Sequence, residues 1–170
     1  FDERDKMFAF QGRAFGKENP KYITIVLDSA RDKIYGLNKV DWNKKVFVVE
    51  GPIDSLFLDN CIATAQSDLR ISYKKQNVVL IPDNEPRNKE IVKQIEKFID
   101  EHYSVVLWPE YVKEKDINDM ILSGRTKTEI QKIINENVYS GIKAKTQFVF
   151  WKKVELKNEK NLSRNQYRHG

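Results

Sequence analysis

Four consecutive apolar positions, Val46-Phe47-Val48-Val49, read as a strand covered on both faces, since a half-exposed strand would alternate apolar with polar. The run stops at Glu50. Gly51 permits a tight turn and Pro52 suits a first helical turn, so a helix is predicted over 52–59, with Ile53, Leu56 and Phe57 facing the sheet. The event recurs twice. Val78-Val79-Leu80-Ile81 ends at Asp83 and Glu85, and Val105-Val106-Leu107-Trp108 ends at Pro109, with a basic loop leading to Lys115-Asp116-Ile117-Asn118-Asp119. Between these two runs a helix is predicted over 86–102, opened by Pro86 and striped by Ile91, Ile95, Phe98, Ile99 and His102. Residues 61–65 read as a short strand and 68–73 as a short helix. The stretch from Asp116 opens a helix stopped at Gly124. Thr126 and Glu129 form a capping-box pattern ahead of Ile130, Ile133 and Ile134. Upstream, 7–13 and 22–27 read as two strands joined by a turn at Asn19-Pro20.

Strands alternating with helices predict an α/β fold, a parallel sheet with helices on both faces and right-handed crossovers. A short β-rich segment precedes it and a helical segment follows it. At 170 residues, 40% hydrophobic and 32% charged, the chain has an ordinary globular composition. No apolar run approaches the ~20 residues of a membrane helix. One cysteine, Cys61, excludes an internal disulfide and suits a reducing cytoplasm; with two histidines it also argues against a structural zinc site. Cys61, Trp108 and Trp151 read as packing residues and His102 as a helix-end residue. Phe1 in first place suggests a longer protein or processing. The net charge of +5 is uneven. Residues 141–170 carry eight basic and two acidic side chains, while the rest nearly balances at 22 basic against 23 acidic. A basic tail of this kind suits a polyanion, or is simply a frayed terminus.

The chemistry lies in the acids. Carboxyl ends of parallel strands share one edge, where ligands of open α/β sheets bind. Glu50 with Asp54, Asp83 with Glu85, and Asp116 should therefore converge although distant in sequence. Gathered carboxylates repel unless a cation sits among them. A hard divalent ion with oxygen ligands is the usual solution, completed by substrate phosphates; two such ions suit phosphoryl transfer. Asn118 can add a neutral oxygen. Each acid alone can instead cap the next helix, and for Asp54 or Asp119 the two readings stand level.

Glu50-Gly51-Pro52-Ile53-Asp54 resembles the EGxxD signature of the Toprim fold, and Asp83-Asn84-Glu85 its DxD motif with Glu for the second Asp. Residues 115–119 resemble the KDPDE-like segment of primases. Phe10-Gln11-Gly12-Arg13, Pro20-Lys21-Tyr22 and Ile34-Tyr35-Gly36-Leu37 resemble the GFGGR, PKY and LYGL segments of DnaG-type primases. Within that family the sequence looks most like the T-even bacteriophage type, over about residues 7–122. The resemblance implies a Toprim catalytic domain over 41–123, preceded at 1–40 by the end of an N-terminal primase subdomain. A helical extension at 124–156 and a disordered basic tail at 157–170 would follow.

It further implies an enzyme, a nucleotidyltransferase making short RNA primers on single-stranded DNA from nucleoside triphosphates, beside a replicative helicase. Glu50 takes the catalytic position, as acid/base or metal ligand, with Asp83 and Glu85 catalytic beside it. Asp83, Glu85 and Asp116 hold Mg²⁺ or Mn²⁺, with Asn118 adjacent. Arg13, Lys21 and Tyr22 match nucleotide- or nucleic-acid-contacting positions; Arg87 and Lys89 are neighbouring candidates. Glu85 departs from the pattern by length and Asn118 by charge. A zinc module for template recognition would lie before Phe1 or on another chain. The alternatives are a Toprim nuclease and a non-catalytic nucleic-acid- or helicase-binding module.

Overall fold

Successive side chains of a strand point to opposite faces, so a strand buried throughout must be covered twice. The computed structural model, which describes residues 1–17, 19–20, 22–65, 68–71 and 77–154, meets that requirement. Two strands, β1 (Ala9–Arg13) and β2 (Tyr22–Val26), form a separate antiparallel hairpin in which Arg13 faces Tyr22. The main sheet has five strands in the order β4-β3-β5-β6-β7. They are β3 (Val46–Val49), β4 (Cys61–Ala63), β5 (Val78–Leu80), β6 (Ser104–Val106) and β7 (Val138–Tyr139). β4, β3, β5 and β6 are parallel; β7 runs antiparallel on β6.

One face of the sheet, with Val46, Val48, Leu80 and Val105, packs under α2 (Lys89–Asp100) and α5 (Gly141–Trp151). The opposite face, with Phe47, Val49, Val79 and Val106, packs under α3 (Ile117–Leu122) and α4 (Lys127–Glu136). The α/β architecture with helices on both faces is therefore as expected. The segment expected as an extension shares both cores: Ile130 and Ile134 of α4 are fully buried in one, and Ala144, Phe148 and Trp151 of α5 complete the other. The expected basic tail lies outside the described residues.

Several boundaries differ from expectation. The helix after β3, α1, covers only Pro52–Ser55. Ser55 Oγ donates to Pro52 O at 2.7 Å, and the chain then turns back towards β4. Ile53 and Leu56 are exposed, and Phe57 and Leu58 make the contact with the sheet instead. α2 begins at Lys89, not Pro86, because Asn88 caps it by accepting the Glu90 N–H. It ends where His102 adopts φ 64°, letting the His102 and Tyr103 N–H groups close on Ile99 and Phe98 carbonyls, a Schellman turn into β6. Residues 68–71 are not helical, and 72–73 lie outside the described residues. Thr126 and Glu129 do make the reciprocal capping box.

The Tyr35-Gly36 segment pairs with the outer edge of the sheet: Tyr35 and Ala63 exchange backbone hydrogen bonds of 2.7 and 3.0 Å. Gly36 has φ +91°, and a Cβ there would stand 3.2 Å from Cys61 O, so both conformation and space favour glycine.

Candidate functional site

β3 and β5 and the loop after β6 end on one edge of the sheet. Glu50, Asp54, Asp83 and Asp116 line a single small cleft there, floored by Val49, Ile81 and Trp108. Of the five acids expected to converge, these four share the cleft and Glu85 does not line it. Glu85 stands beside them through Lys115, whose Nζ lies 3.5 Å from Asp83 and 3.4 Å from Glu85.

Local bonds fix each position. Asp54 Oδ1 accepts the Asn118 N–H at 2.8 Å, joining α1 to the start of α3. Asp116 caps α3, accepting the Asp119 N–H at 2.7 Å. Both acids therefore also fulfil the capping alternative. Asn118 enters the network through its backbone and does not line the cleft. Gly51 has an ordinary extended backbone, φ −86°, so the expected turn conformation is not its role. A Cβ there would overlap Asp54 Oδ2, so a side chain at this position would push that carboxylate aside.

Two positioning residues escaped the sequence reading. Asn84 donates its backbone N–H to Lys115 O at 2.7 Å and its side-chain amide to the Val112 and Glu114 carbonyls at 2.9 and 3.2 Å. It pins the Asp83–Glu85 loop to the loop carrying Asp116. Trp108 Nε1 donates to Pro82 O at 2.9 Å, so Trp108 both packs and holds the same loop. The signal was a polar residue between two acids. In the sequence Lys115 stands out only within the 115–119 motif, although a lysine in a run of acids is a ready counter-charge.

The electrostatics follow from burial. Desolvation pushes the Asp54 carboxyl up to about 6; the Asn118 N–H opposes this, and the Asp116 and Asp119 charges add to it. Desolvation likewise raises Asp83 to about 6, opposed by Lys115 and reinforced by Glu50 and Asp116. Glu50 itself is exposed, and its carbonyl accepts the Ala65 N–H at 3.0 Å.

Among the described residues, no three His, Cys, Asp or Glu side chains converge closely enough to hold a metal ion in this conformation. Asp54 and Asp116 each give an oxygen to a backbone N–H, and Lys115 stands between Asp83 and Glu85. The donor set is nonetheless all oxygen, the kind that hard divalent cations prefer.

The expected cations are more scattered. Arg13 and Tyr22 sit side by side on the hairpin, the guanidinium 5.5 Å from the ring centroid, and both are exposed. They do not enter the cleft, but Gln11 and Thr24 of the same hairpin share a groove with Pro52 and Ala65, next to the Glu50 turn. Arg87 and Lys89 are exposed; Arg87 lines a larger cavity next to Glu85, and Lys89 lines neither. Lys21 lies outside the described residues. No helix among the described residues is long and apolar enough to cross a membrane.

No family model matches the chain. It is 38% identical over 159 residues to DNA primase of Enterobacteria phage T4, an alignment covering 91% of this chain and 46% of that protein. The chain thus spans about half the length of this curated relative. The E. coli primase catalytic core is similar in structure, with TM-score 0.63 and 16% identity over 99% of this chain and 59% of that one. A DNA primase domain from Pseudomonas aeruginosa gives TM-score 0.61 and 20% identity over 82% of this chain and 50% of that one. A DnaG primase catalytic domain solved bound to single-stranded DNA gives TM-score 0.62 and 16% identity, over 96% and 58%. Over 91% of its own length the chain is similar in sequence to just under half of the phage T4 DNA primase, and its fold is that of primase catalytic cores.

Proposed function

We propose that this chain is the catalytic part of a DNA primase, a nucleotidyltransferase joining ribonucleotides into short primers on single-stranded DNA. The observation that carries the reading is the convergence of Glu50, Asp83 and Asp116 from three separate segments on one sheet edge. Burial makes Asp83 and Asp54 costly to ionise there, which is the electrostatic preparation for a bound cation. Asp83, Glu85 and Asp116 would hold Mg²⁺, or Mn²⁺ in its place, after Lys115 swings away. When held by these acids, such an ion would supply positive charge against the triphosphate and its leaving oxygens. Glu50, exposed and outside the capping bonds that engage Asp54 and Asp116, reaches the attacking hydroxyl to accept its proton or joins the ligand set. Asn118 supports this edge by fixing Asp54. The hairpin cation Arg13, with Lys21 and Tyr22 nearby in sequence, contacts nucleotide phosphate or strand, and Arg87 and Lys89 add positive charge outside the cleft. A replicative helicase is the partner, in a reducing cytoplasm.

The test is Mg²⁺-dependent ribonucleotide incorporation on a single-stranded template. Asp83→Asn should reduce it at least a hundredfold; undiminished incorporation refutes the site. Cleavage of nucleic acid without nucleoside triphosphates would instead identify a nuclease.

A further inference from the structure

A second cavity, of about 560 Å³, adjoins the acidic cleft, and Trp108 lines both. Its walls come from three places: the 84–88 loop, the 108–113 loop, and the last turn of α5 with Lys153 just beyond it. Those walls are fixed to one another. Asn84 ties the first to the second, and the Lys153 N–H donates to Pro86 O at 2.8 Å, tying the third to the first. The cavity is thus pre-formed and within the size range of ligand sites.

Its lining is mixed in a specific way. One cation comes from each wall: Arg87, Lys113 and Lys153. None of the three forms an ion pair among the described residues; Lys113 Nζ donates to the Glu110 carbonyl and Lys153 Nζ to the Phe150 carbonyl at 3.3 Å, which leaves both ammonium charges uncompensated. Glu85 and Glu110 also line it, but Glu85 is already engaged by Lys115. Phe150 stands 68% exposed at the rim, although the buried side of α5 is supplied by Ala144, Phe148 and Trp151. Gln147, one turn earlier, adds an amide. Trp151, 6% exposed, is also in the wall, and its indole N–H is the one buried side-chain donor without a partner among the described residues. Beyond Val154 the sequence continues with Lys157, Lys160, Arg164 and Arg168.

An exposed aromatic face, an amide and cations spread over three walls match a base and its flanking phosphates better than one compact triphosphate, which would draw the cations to a single point. We propose that this cavity binds one nucleotide unit of a single nucleic-acid strand entering or leaving the acidic cleft, with the base on Phe150, its edge at Gln147, and phosphates at Arg87, Lys113 and Lys153. The proposal rests on the primase reading, because that reading places the reacting nucleotide next door.

The experiment is fluorescence anisotropy of a labelled 12-nucleotide single-stranded DNA in EDTA, with circular dichroism checking that each variant is folded. Phe150→Ala, an exposed position, should weaken binding about tenfold. Lys153→Glu should weaken it and lower the slope of log K against log salt by about one phosphate contact. Unchanged titrations in both variants overturn the proposal. So does a result in which ATP alone binds with the same dependence on Phe150 and fully displaces the strand, since the cavity would then serve a mononucleotide. No catalysis is needed, so these outcomes are independent of Asp83→Asn: incorporation surviving that substitution refutes the acidic site without touching this binding measurement.

Discussion

Replacing Asp83 by Asn separates what the acidic cleft does for stability from what it does for function. A carboxyl held at about 6 instead of 3.8 costs the fold about 3 kcal/mol at neutral pH before screening. The side chain is 22% exposed and loses its Lys115 partner on substitution, so about 1–2 kcal/mol remains after screening. Asn keeps the shape and removes the charge. In EDTA at pH 7.5 the variant should therefore melt about 3–6 °C above the parent. Adding Mg²⁺ should raise the parent's melting temperature, because a ligand that binds only the folded form stabilises it, and should leave the variant nearly unmoved. Differential scanning fluorimetry with and without 10 mM Mg²⁺ reads both effects. A variant that melts lower than the parent in EDTA, or that keeps the full Mg²⁺ shift, refutes the reasoning.

The pH dependence has a defined sign. Asp54 and Asp83 both have raised folded-state values near 6, so their contribution favours the metal-free fold most below about pH 4, declines as pH rises to about 6, and is flat above. The Mg²⁺-induced melting shift should run the other way, being large at pH 7.5 and small below pH 5.5, where the ligands carry protons. Gly51→Ala should displace the Asp54 carboxylate from the Asn118 N–H, costing about 1–3 kcal/mol in urea unfolding and lowering incorporation. Lys115→Met removes the cation between Asp83 and Glu85; the metal-free protein should melt lower, and the Mg²⁺ concentration at half-maximal stabilisation should fall. Ending the chain at Gly124 strips Ile130 and Ile134 from one core and Phe148 and Trp151 from the other, so the product should lack the dispersed NMR spectrum of a folded domain.

The parts of the fold that could be read directly were those in which one strong local rule acts alone. Val46-Phe47-Val48-Val49 has no polar residue to expose, so it must be a central strand, and the acid after it must lie on the sheet's edge. The Thr126–Glu129 box marks a helix start by a bond pattern that needs only four residues. Misreadings arose where tertiary contacts decide. α1 stops after one turn because the chain must return to β4, although Leu56 and Phe57 continue a helical spacing. Pro86 is a plausible helix start, yet the 82–88 loop is held by Trp108 and Asn84 for the site, and Asn88 wins as the cap. β7 is two residues long, too short for a local pattern to mark, and pairs antiparallel with β6. Asn84 and Lys115 act through partners about 30 residues away in sequence, and no local pattern reports such pairings.

On the proposed function, Glu50, Asp83, Glu85 and Asp116 form one divalent-cation site facing a triphosphate. Crystals of the protein soaked with Mn²⁺ and a nucleoside triphosphate, measured at the manganese absorption edge, test it most directly. An anomalous peak is expected within about 2.3 Å of carboxylate oxygens of Asp83 and at least one other of these acids, with Lys115 withdrawn and phosphate oxygens completing the shell. Manganese bound elsewhere, with Lys115 still between Asp83 and Glu85, would contradict it.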